Sequence, residues 1–189
     1  MLKSAARKIF NEKRRAATAQ ERSRWDDLIL IQFQTLPVPD IHTLFTYAAM
    51  EAEVNTDPIA DYLHFRHPSL QIAYPVCDFE TFTMQAVLST ADTPFILNRF
   101  GTPEPRMDGA EILPPEQIDL VVLPLLCFDE QGYRVGYGKG FYDKFLSDVR
   151  PDCIKIGLSY YEALDEIEDR NPFDVPLNYC VTPHRTYEF

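Results

Sequence analysis

The residues best suited to chemistry lie in one stretch, Arg134 to Asp143, which reads Arg-Val-Gly-Tyr-Gly-Lys-Gly-Phe-Tyr-Asp. Three glycines alternate within it, at Gly136, Gly138 and Gly140. Glycine lets the backbone adopt positive φ and approach a ligand closely, and Arg134 and Lys139 add two cations. A helix predicted to begin at Phe141 would present its N-terminal N–H groups to an anion. The stretch therefore predicts a phosphate-binding loop, with a loop that only turns the chain as the alternative.

The loop differs from the two common phosphate-binding patterns. A Walker loop has four residues between its first glycine and a Gly-Lys-Ser/Thr element, and this spacing does not provide them. A dinucleotide fingerprint that starts at Gly136 requires a glycine where Phe141 stands. The ligand chemistry is therefore predicted from the residue types, because no common motif supplies it.

A carboxylate, Asp143, directly follows the loop. Mg²⁺ bound to a nucleotide is commonly held by one or two carboxylates together with phosphate oxygens and water. Asp143 is therefore a candidate metal ligand. The alternative is that Asp143 only stabilises the N-terminal dipole of the helix.

The basic residues are concentrated at the N-terminal end. Residues 1–24 carry eight basic and two acidic side chains, a net charge of +6. The whole chain has a net charge of −11, so residues 25–189 carry −17. Lys3 and Arg7 are four residues apart and share a helix face. This segment is a solvated helix face, a contact for a phosphate-rich ligand, or a nucleic-acid arm. The acidic remainder disfavours general nucleic-acid binding because it repels phosphates.

The elements that must position these residues alternate between helix and strand. Helices are predicted over 2–16, from the capping box Thr18–Glu21 to Gln34, from a cap at Asp57 to Arg66, and over Phe141–Val149. Strands are predicted over Leu44–Ala48, Leu70–Tyr74 (stopped by Pro75), Thr81–Leu88, Leu120–Leu123, Ile154–Leu158 and Tyr179–Thr182. Five prolines predict that residues 92–116 are mostly an extended loop.

The alternation predicts an α/β protein with a largely parallel sheet flanked by helices. Leu120–Leu123 and Ile154–Leu158 are unbroken apolar runs except for Lys155 and Gly157, as in strands buried on both faces. Ligands of such sheets bind beyond the carboxyl ends of strands. This rule directs attention to the loop that follows Leu123.

Composition bounds the class of protein. The chain has 189 residues and is 46% hydrophobic, which suits one compact domain. No apolar run approaches the ~20 residues of a membrane span, and we expect no membrane association. The four cysteines are widely spaced and form no C-x-x-C motif, so we expect reduced thiols in a cytoplasmic protein.

The long motif Arg-Val-Gly-Tyr-Gly-Lys-Gly-Phe-Tyr-Asp-Lys-Phe-Leu, preceded by Leu-Val-Val-Leu-Pro and Phe-Asp, closely resembles the signature of the 5-formyltetrahydrofolate cyclo-ligases (methenyltetrahydrofolate synthetases). Further segments resemble that family in order along the chain: Lys3-x-x-x-Arg7, Glu53-Val-Asn-Thr56, Phe100-Gly-Thr-Pro-Glu-Pro105 and Asp174-Val-Pro-Leu-Asn178. Asn55 and Asn178 stand where acids are common, and Lys139 stands where many members have glycine.

The resemblance implies a single cyclo-ligase domain over residues 1–189, as a three-layer α/β structure similar to the NagB/RpiA/CoA-transferase-like fold. It implies that the protein uses ATP and Mg²⁺ to convert 5-formyltetrahydrofolate to 5,10-methenyltetrahydrofolate, with ADP and phosphate as the other products. The folate is expected to bind with or without a polyglutamate tail. It also implies no nucleic-acid partner, and we expect a monomer. Phosphoryl transfer of this kind relies on positioning and on charge stabilisation.

The resemblance also implies the site residues. Lys139 and Arg134 are expected to act in catalysis. ATP is expected to contact Lys3, Arg7, Arg134, Val135, Gly136, Tyr137, Gly138, Lys139, Gly140, Phe141 and Tyr142. The folate is expected to contact Ala48, Glu53, Met84 and Tyr142. Mg²⁺ is expected to be held by Asp143 and Asp174, whereas Asn178 is left out because it is not an acid.

Two other functions remain open at this stage. A divergent relative could bind a phosphorylated metabolite without cyclising folate. An RNA-associated module could use the basic N-terminal helix. Folinic acid with ATP and Mg²⁺ should stabilise only a cyclo-ligase, and RNA should stabilise only the RNA-associated module.

Overall fold

Twelve strands and four α-helices make up the protein in a computed structural model that describes all 189 residues. The strands are β1 Thr43–Phe45, β2 Gln71–Asp78, β3 Thr83–Ser89, β4 Phe95–Leu97, β5 Pro103–Pro105, β6 Ile112–Leu113, β7 Leu120–Pro124, β8 Cys127–Phe128, β9 Arg134–Val135, β10 Ile154–Leu158, β11 Tyr179–Val181 and β12 Thr186–Glu188. The helices are α1 Lys3–Ala16, α2 Ala19–Phe33, α3 Asp57–Arg66 and α4 Phe141–Leu146.

The apolar runs form the middle of an eight-stranded sheet in the order β12-β11-β10-β7-β1-β2-β3-β6. The five strands from β11 to β2 are parallel, and antiparallel strands close both edges. Leu44 at the centre pairs with Ile72 on one side and with Leu120 on the other. The largely parallel sheet predicted from the sequence is confirmed.

Helices cover both faces of the sheet, as the three-layer prediction requires. Residues alternate along β7, so that Leu120 packs with α2 and α3 on one face while Val121 packs with α4 on the other. The first four residues of β7 are fully buried, which explains its unbroken apolar run. The α1 helix packs against the hairpin of β8 and β9 through Phe10 and Val135.

Pro75 does not stop β2, contrary to the sequence prediction, and the strand continues to Asp78. Ala73 and Cys77 direct their backbone groups to the edge opposite β3, since Ala73 accepts from Thr46 and Cys77 donates to Glu104. Pro75 shares that orientation, and β1 has ended before it. Its missing N–H therefore removes no hydrogen bond from the sheet.

The segment 92–116 is more regular than its prolines suggested, because it contains β4, β5 and β6. Thr102 and Arg106 direct their backbone groups to the strand opposite, in bonds with Asn98 and Pro94. The prolines of β5 occupy the alternate positions, so that their nitrogen atoms face away from β4. The predicted extended loop is thus partly a hairpin.

Helix boundaries differ from the predictions by a few residues. The capping box at Thr18 and Glu21 is present. The residue before α3 is Thr56 rather than Asp57, and its hydroxyl donates to Tyr47 instead of capping the helix. The α4 helix ends at Leu146 rather than near residue 149, and Pro151 disfavours helical backbone just before it.

No helix of the protein is both long and apolar enough to cross a membrane. All four cysteines are free thiols.

Candidate active site

A cavity of about 570 Å³ lies beyond the carboxyl ends of β1 and β7. Its wall includes Tyr47 and Ala48, which follow β1, and Pro124, which ends β7. Residues 136–143 and the segment 98–104 supply further parts of the wall. Its volume lies within the ~300–1,000 Å³ of small-molecule sites.

Every site residue predicted from the sequence lines this cavity except Val135. Val135 is 1% exposed and packs with Phe10 and Ala6 beneath the loop. Its position stabilises the hairpin that carries Arg134, and its side chain does not face the cavity. Asn178, which was left out of the metal site, also lies outside the cavity, where its side chain accepts from the backbone of Lys155.

The glycine loop between β9 and α4 has left-handed backbone at two positions, Gly138 with φ 88° and Gly140 with φ 75°. The Nε of Arg7 donates to the carbonyl oxygen of Gly136 over 2.9 Å. A Cβ on Gly138 would lie 3.0–3.1 Å from the Arg7 guanidinium. Gly138 is therefore required both for its backbone angle and for the close approach of Arg7.

The two cations of the loop have different environments. The Arg134 side chain is 5% exposed, and it donates to Asp143 over 2.8 Å and to the carbonyl oxygen of Val175 over 2.5 Å. Burial lowers the pKa of Arg134, and the charge of Asp143 opposes that shift. Lys139 is exposed, forms no ion pair, and lies with its Nζ 5.5 Å from the centre of the Phe100 ring.

Each candidate metal ligand uses one carboxylate oxygen within the protein. Oδ1 of Asp143 accepts from Arg134 and from the backbone of Val175 over 3.2 Å. Oδ2 of Asp174 accepts from the backbone of Asn171 over 2.9 Å and pairs with the Lys3 ammonium. The remaining oxygen of each carboxylate accepts no hydrogen bond from the protein.

These two carboxylates fit Mg²⁺ only as part of a nucleotide complex. The protein holds no cluster of three or more His, Cys, Asp or Glu side chains that could bind a metal. Mg²⁺ commonly takes one or two carboxylates and fills its other positions with water and phosphate oxygens. The free oxygens of Asp143 and Asp174 match that requirement.

Glu53 is the one carboxylate among the predicted folate contacts, and it is 7% exposed. Its Oε1 accepts from the Tyr137 hydroxyl over 2.8 Å, and its Oε2 accepts from the Met50 backbone over 3.0 Å. Burial raises the pKa of Glu53, and these two hydrogen bonds oppose that shift. The carboxylate is thus held in place while it lines the cavity.

The remaining predicted folate contacts form the apolar part of the wall. Met84 on β3 is 8% exposed. Tyr142 lies near the ring of Phe45, with 6.3 Å between centroids, and burial raises the pKa of its hydroxyl well above the usual value. Both residues suit contact with a flat ring system.

Several residues of the wall, among them Glu104, were not predicted from the sequence as site residues. This carboxylate is 7% exposed and accepts from the Cys77 backbone over 3.1 Å and from the Asn98 side chain over 2.9 Å. Beside it, the rings of Phe79 and Phe100 lie 4.8 Å apart. The resemblance covered the stretch Phe100–Pro105, but only the hairpin geometry shows that Glu104 faces the cavity.

A larger groove, of about 1100 Å³, lies away from these residues. Its lining includes His64, Tyr74 and Arg106 and none of the glycine loop. The smaller cavity is the candidate active site because the cations, the carboxylates and the glycine loop all meet there. The glycine loop and the basic side chains line one part of it, and apolar and aromatic side chains line another.

Comparison with known proteins finds similarity to one family. The model of the 5-formyltetrahydrofolate cyclo-ligase family matches residues 1–183. The 5-formyltetrahydrofolate cyclo-ligase of Escherichia coli strain K12 is 26% identical over 185 residues, which are 96% of this chain and 100% of that protein. The cyclo-ligase of Mycoplasma pneumoniae is 31% identical over 186 residues, which are 96% of this chain and 98% of that protein.

The fold is also similar to a solved structure. The NMR structure of Aquifex aeolicus 5,10-methenyltetrahydrofolate synthetase superposes with a TM-score of 0.78 at 26% identity. The match covers 100% of this chain and 93% of that one. The similarity in sequence and in structure therefore extends over almost the whole molecule.

Proposed function

The chain belongs to the 5-formyltetrahydrofolate cyclo-ligase family, and from that membership we propose that it converts 5-formyltetrahydrofolate and ATP to 5,10-methenyltetrahydrofolate, ADP and phosphate. The observation that carries the proposal is the shared cavity. One wall holds cations and a glycine loop suited to a polyphosphate, and another holds a buried carboxylate and aromatic rings suited to a pterin.

The reaction divides into two displacements. The formyl oxygen attacks the γ-phosphorus of ATP, and ADP leaves. The folate N10 then attacks the activated formyl carbon and gives up its proton to solvent, and phosphate leaves with the former formyl oxygen. Neither step requires a nucleophile from the protein, so the residues act by positioning and by charge stabilisation.

The different environments of the cations indicate different roles for them. Lys139 is exposed and unpaired, so its ammonium is free to follow the phosphoryl group during transfer. Arg134 is fixed by Asp143 and offers a charge whose position does not change. Arg7 holds the loop through Gly136, and its remaining N–H groups are directed to the phosphates together with Lys3.

Asp143 and Asp174 would hold the Mg²⁺ that accompanies ATP, through the oxygens that accept no hydrogen bond from the protein. A bound ion of this kind neutralises charge on the β- and γ-phosphates. Lys3 pairs with Asp174, which places its ammonium beside a proposed metal ligand. We propose that this ammonium also contacts the phosphates once the nucleotide is bound.

Glu53 would accept hydrogen bonds from the N–H groups of the pterin, because a carboxylate offers two acceptors side by side. Ala48, Met84 and Tyr142 would contact the pterin ring. The glutamate tail, whether single or extended, would point outward. We further propose a cytoplasmic monomer of one domain, since the thiols are free and one chain supplies the whole cavity.

A turnover assay tests the proposal. Folinic acid, ATP and Mg²⁺ together should give the absorbance of methenyltetrahydrofolate, and omission of any one of them should abolish it. Folinic acid with ATP and Mg²⁺ should raise the melting temperature by mass action, and RNA should not. Stabilisation by ATP without product would favour the divergent metabolite-binding function, and stabilisation by RNA alone would favour the RNA-associated module.

A further inference from the structure

Arg14 is a buried cation in α1 without a direct carboxylate partner. It is 4% exposed and takes part in no ion pair. One of its terminal nitrogens donates to the carbonyl oxygen of Leu125, and the other donates to the Tyr137 hydroxyl over 3.0 Å. Its Nε is buried without a partner. Burial of a charge is costly unless neighbouring groups compensate for it.

The hydrogen bonds that compensate for the buried charge of Arg14 extend to Tyr137 in the glycine loop. The Tyr137 hydroxyl accepts from Arg14 and donates to Oε1 of Glu53 over 2.8 Å. Because the hydroxyl has a single proton, a bond accepted from Arg14 directs that proton towards Glu53. Tyr137, which is 46% exposed as a residue, also lines the cavity. A cation, a phenol and a carboxylate thus form one directed chain from α1 to the folate side.

We infer that Arg14 is a positioning residue that orients the Glu53 carboxylate for folate through the Tyr137 hydroxyl. The inference rests on the proposed function for its ligand, and Arg14 itself does not line the cavity. Loss of Arg14 leaves the Tyr137 hydroxyl free to turn, and Glu53 then loses a fixed donor and the balancing charge of Arg14. Folate binding weakens, whereas the phosphate contacts of Lys139 and Arg7 stay in place.

The test is a double-mutant cycle on folinic acid affinity, measured by calorimetry without ATP. Arg14→Met and Tyr137→Phe should each weaken binding about tenfold, the lower range for a hydrogen bond to a charged group. The double variant should bind no more weakly than either single variant, because both changes break the same chain. Arg15→Met, at the next and exposed position of α1, serves as the control and should bind normally.

The inference would be overturned if the affinity losses of the two single variants multiplied in the double variant. Normal folinic acid binding by Tyr137→Phe would also overturn it. If Arg14→Met does not fold, normal binding by Tyr137→Phe still overturns the inference, because it shows that the Tyr137 hydroxyl does not orient Glu53. A carbon NMR titration of Glu53 requires no ligand, and its pKa should rise in both variants because each removes a contact that lowers it. A wild-type protein that binds no folinic acid counts against the proposed function, and an unchanged Glu53 pKa counts against the positioning role.

Discussion

Lys139 and Arg134 were expected to share one task at the phosphates, yet their surroundings separate them. Arg134 is enclosed and bonded to Asp143 and Val175, so movement of its guanidinium breaks those contacts. Lys139 is exposed and free of ion pairs. We therefore propose that Lys139, rather than Arg134, follows the phosphoryl group as its charge develops.

Lys139→Ala should lower kcat about 100-fold, the scale of losing one group that stabilises transition-state charge. KM for ATP should rise less, because the interaction is made mainly in the transition state. Steady-state kinetics with ATP varied provide the measurement. Lys144→Ala changes an exposed lysine outside the cavity and should behave as wild type. An unchanged kcat in Lys139→Ala removes Lys139 from the chemistry.

Asp143→Asn separates metal binding from a helix-dipole role. If Asp143 is a metal ligand, the variant should lose most of its activity, and high Mg²⁺ should partly restore it. If Asp143 only stabilises the helix dipole, turnover should be near normal and the protein should lose about 0.3–1 kcal/mol of stability. The measurement is activity against Mg²⁺ concentration, with unfolding followed in parallel. Asp148→Asn, at an exposed carboxylate after α4, is the control. A wild-type Mg²⁺ curve in Asp143→Asn contradicts the metal assignment.

Glu53 should make folinic acid affinity depend on pH. Because burial raises its pKa, the carboxylate takes up a proton at a higher pH than an ordinary glutamate. Affinity should fall as the pH is lowered through that raised value, and Glu53→Gln should remove this dependence. The same shift makes the folded state lose stability as the pH rises from the unfolded pKa to the raised one. Calorimetry and urea unfolding across acidic pH measure the two effects.

At the scale of elements, the glycine loop depends on Gly138. Gly138→Ala should strain a left-handed position, at about 1–2 kcal/mol, and displace Arg7 from the loop. KM for ATP should rise as well. Gly109→Ala is a matched control, since Gly109 has φ 71° and open space around it. It should lose similar stability in urea unfolding and keep normal kinetics. Equal kinetics in the two variants contradict a role for the Arg7 contact.

Patterns local in sequence predicted the elements that depend on local physics. The runs in β7 and β10 and the capping box at Thr18 follow directly from burial and hydrogen bonding. The β4–β5 hairpin was missed because Pro103 and Pro105 reduce the strand signal. Only the pairing partner shows that their nitrogen atoms face away from the ladder, so tertiary context overrides propensity there.

At the scale of the whole molecule, the site joins residues that are distant in sequence. Lys3 pairs with Asp174 across 171 positions, and Tyr137 bonds to Glu53 across 84. The glycine loop was predictable from residue types, and the resemblance implied most other contacts. The link from Arg14 to Tyr137 was not predictable, because an arginine on a basic helix is ordinarily a solvated residue.

At this scale we propose that both substrates bind in the one cavity and that the phosphoryl group passes directly from one to the other. Folinic acid labelled with ¹⁸O in its formyl group tests this claim most directly. We predict that, in a turnover with ATP and Mg²⁺, the label appears in inorganic phosphate, with one labelled phosphate for each methenyltetrahydrofolate formed. Unlabelled phosphate, or ATP cleavage without methenyltetrahydrofolate, would contradict the account.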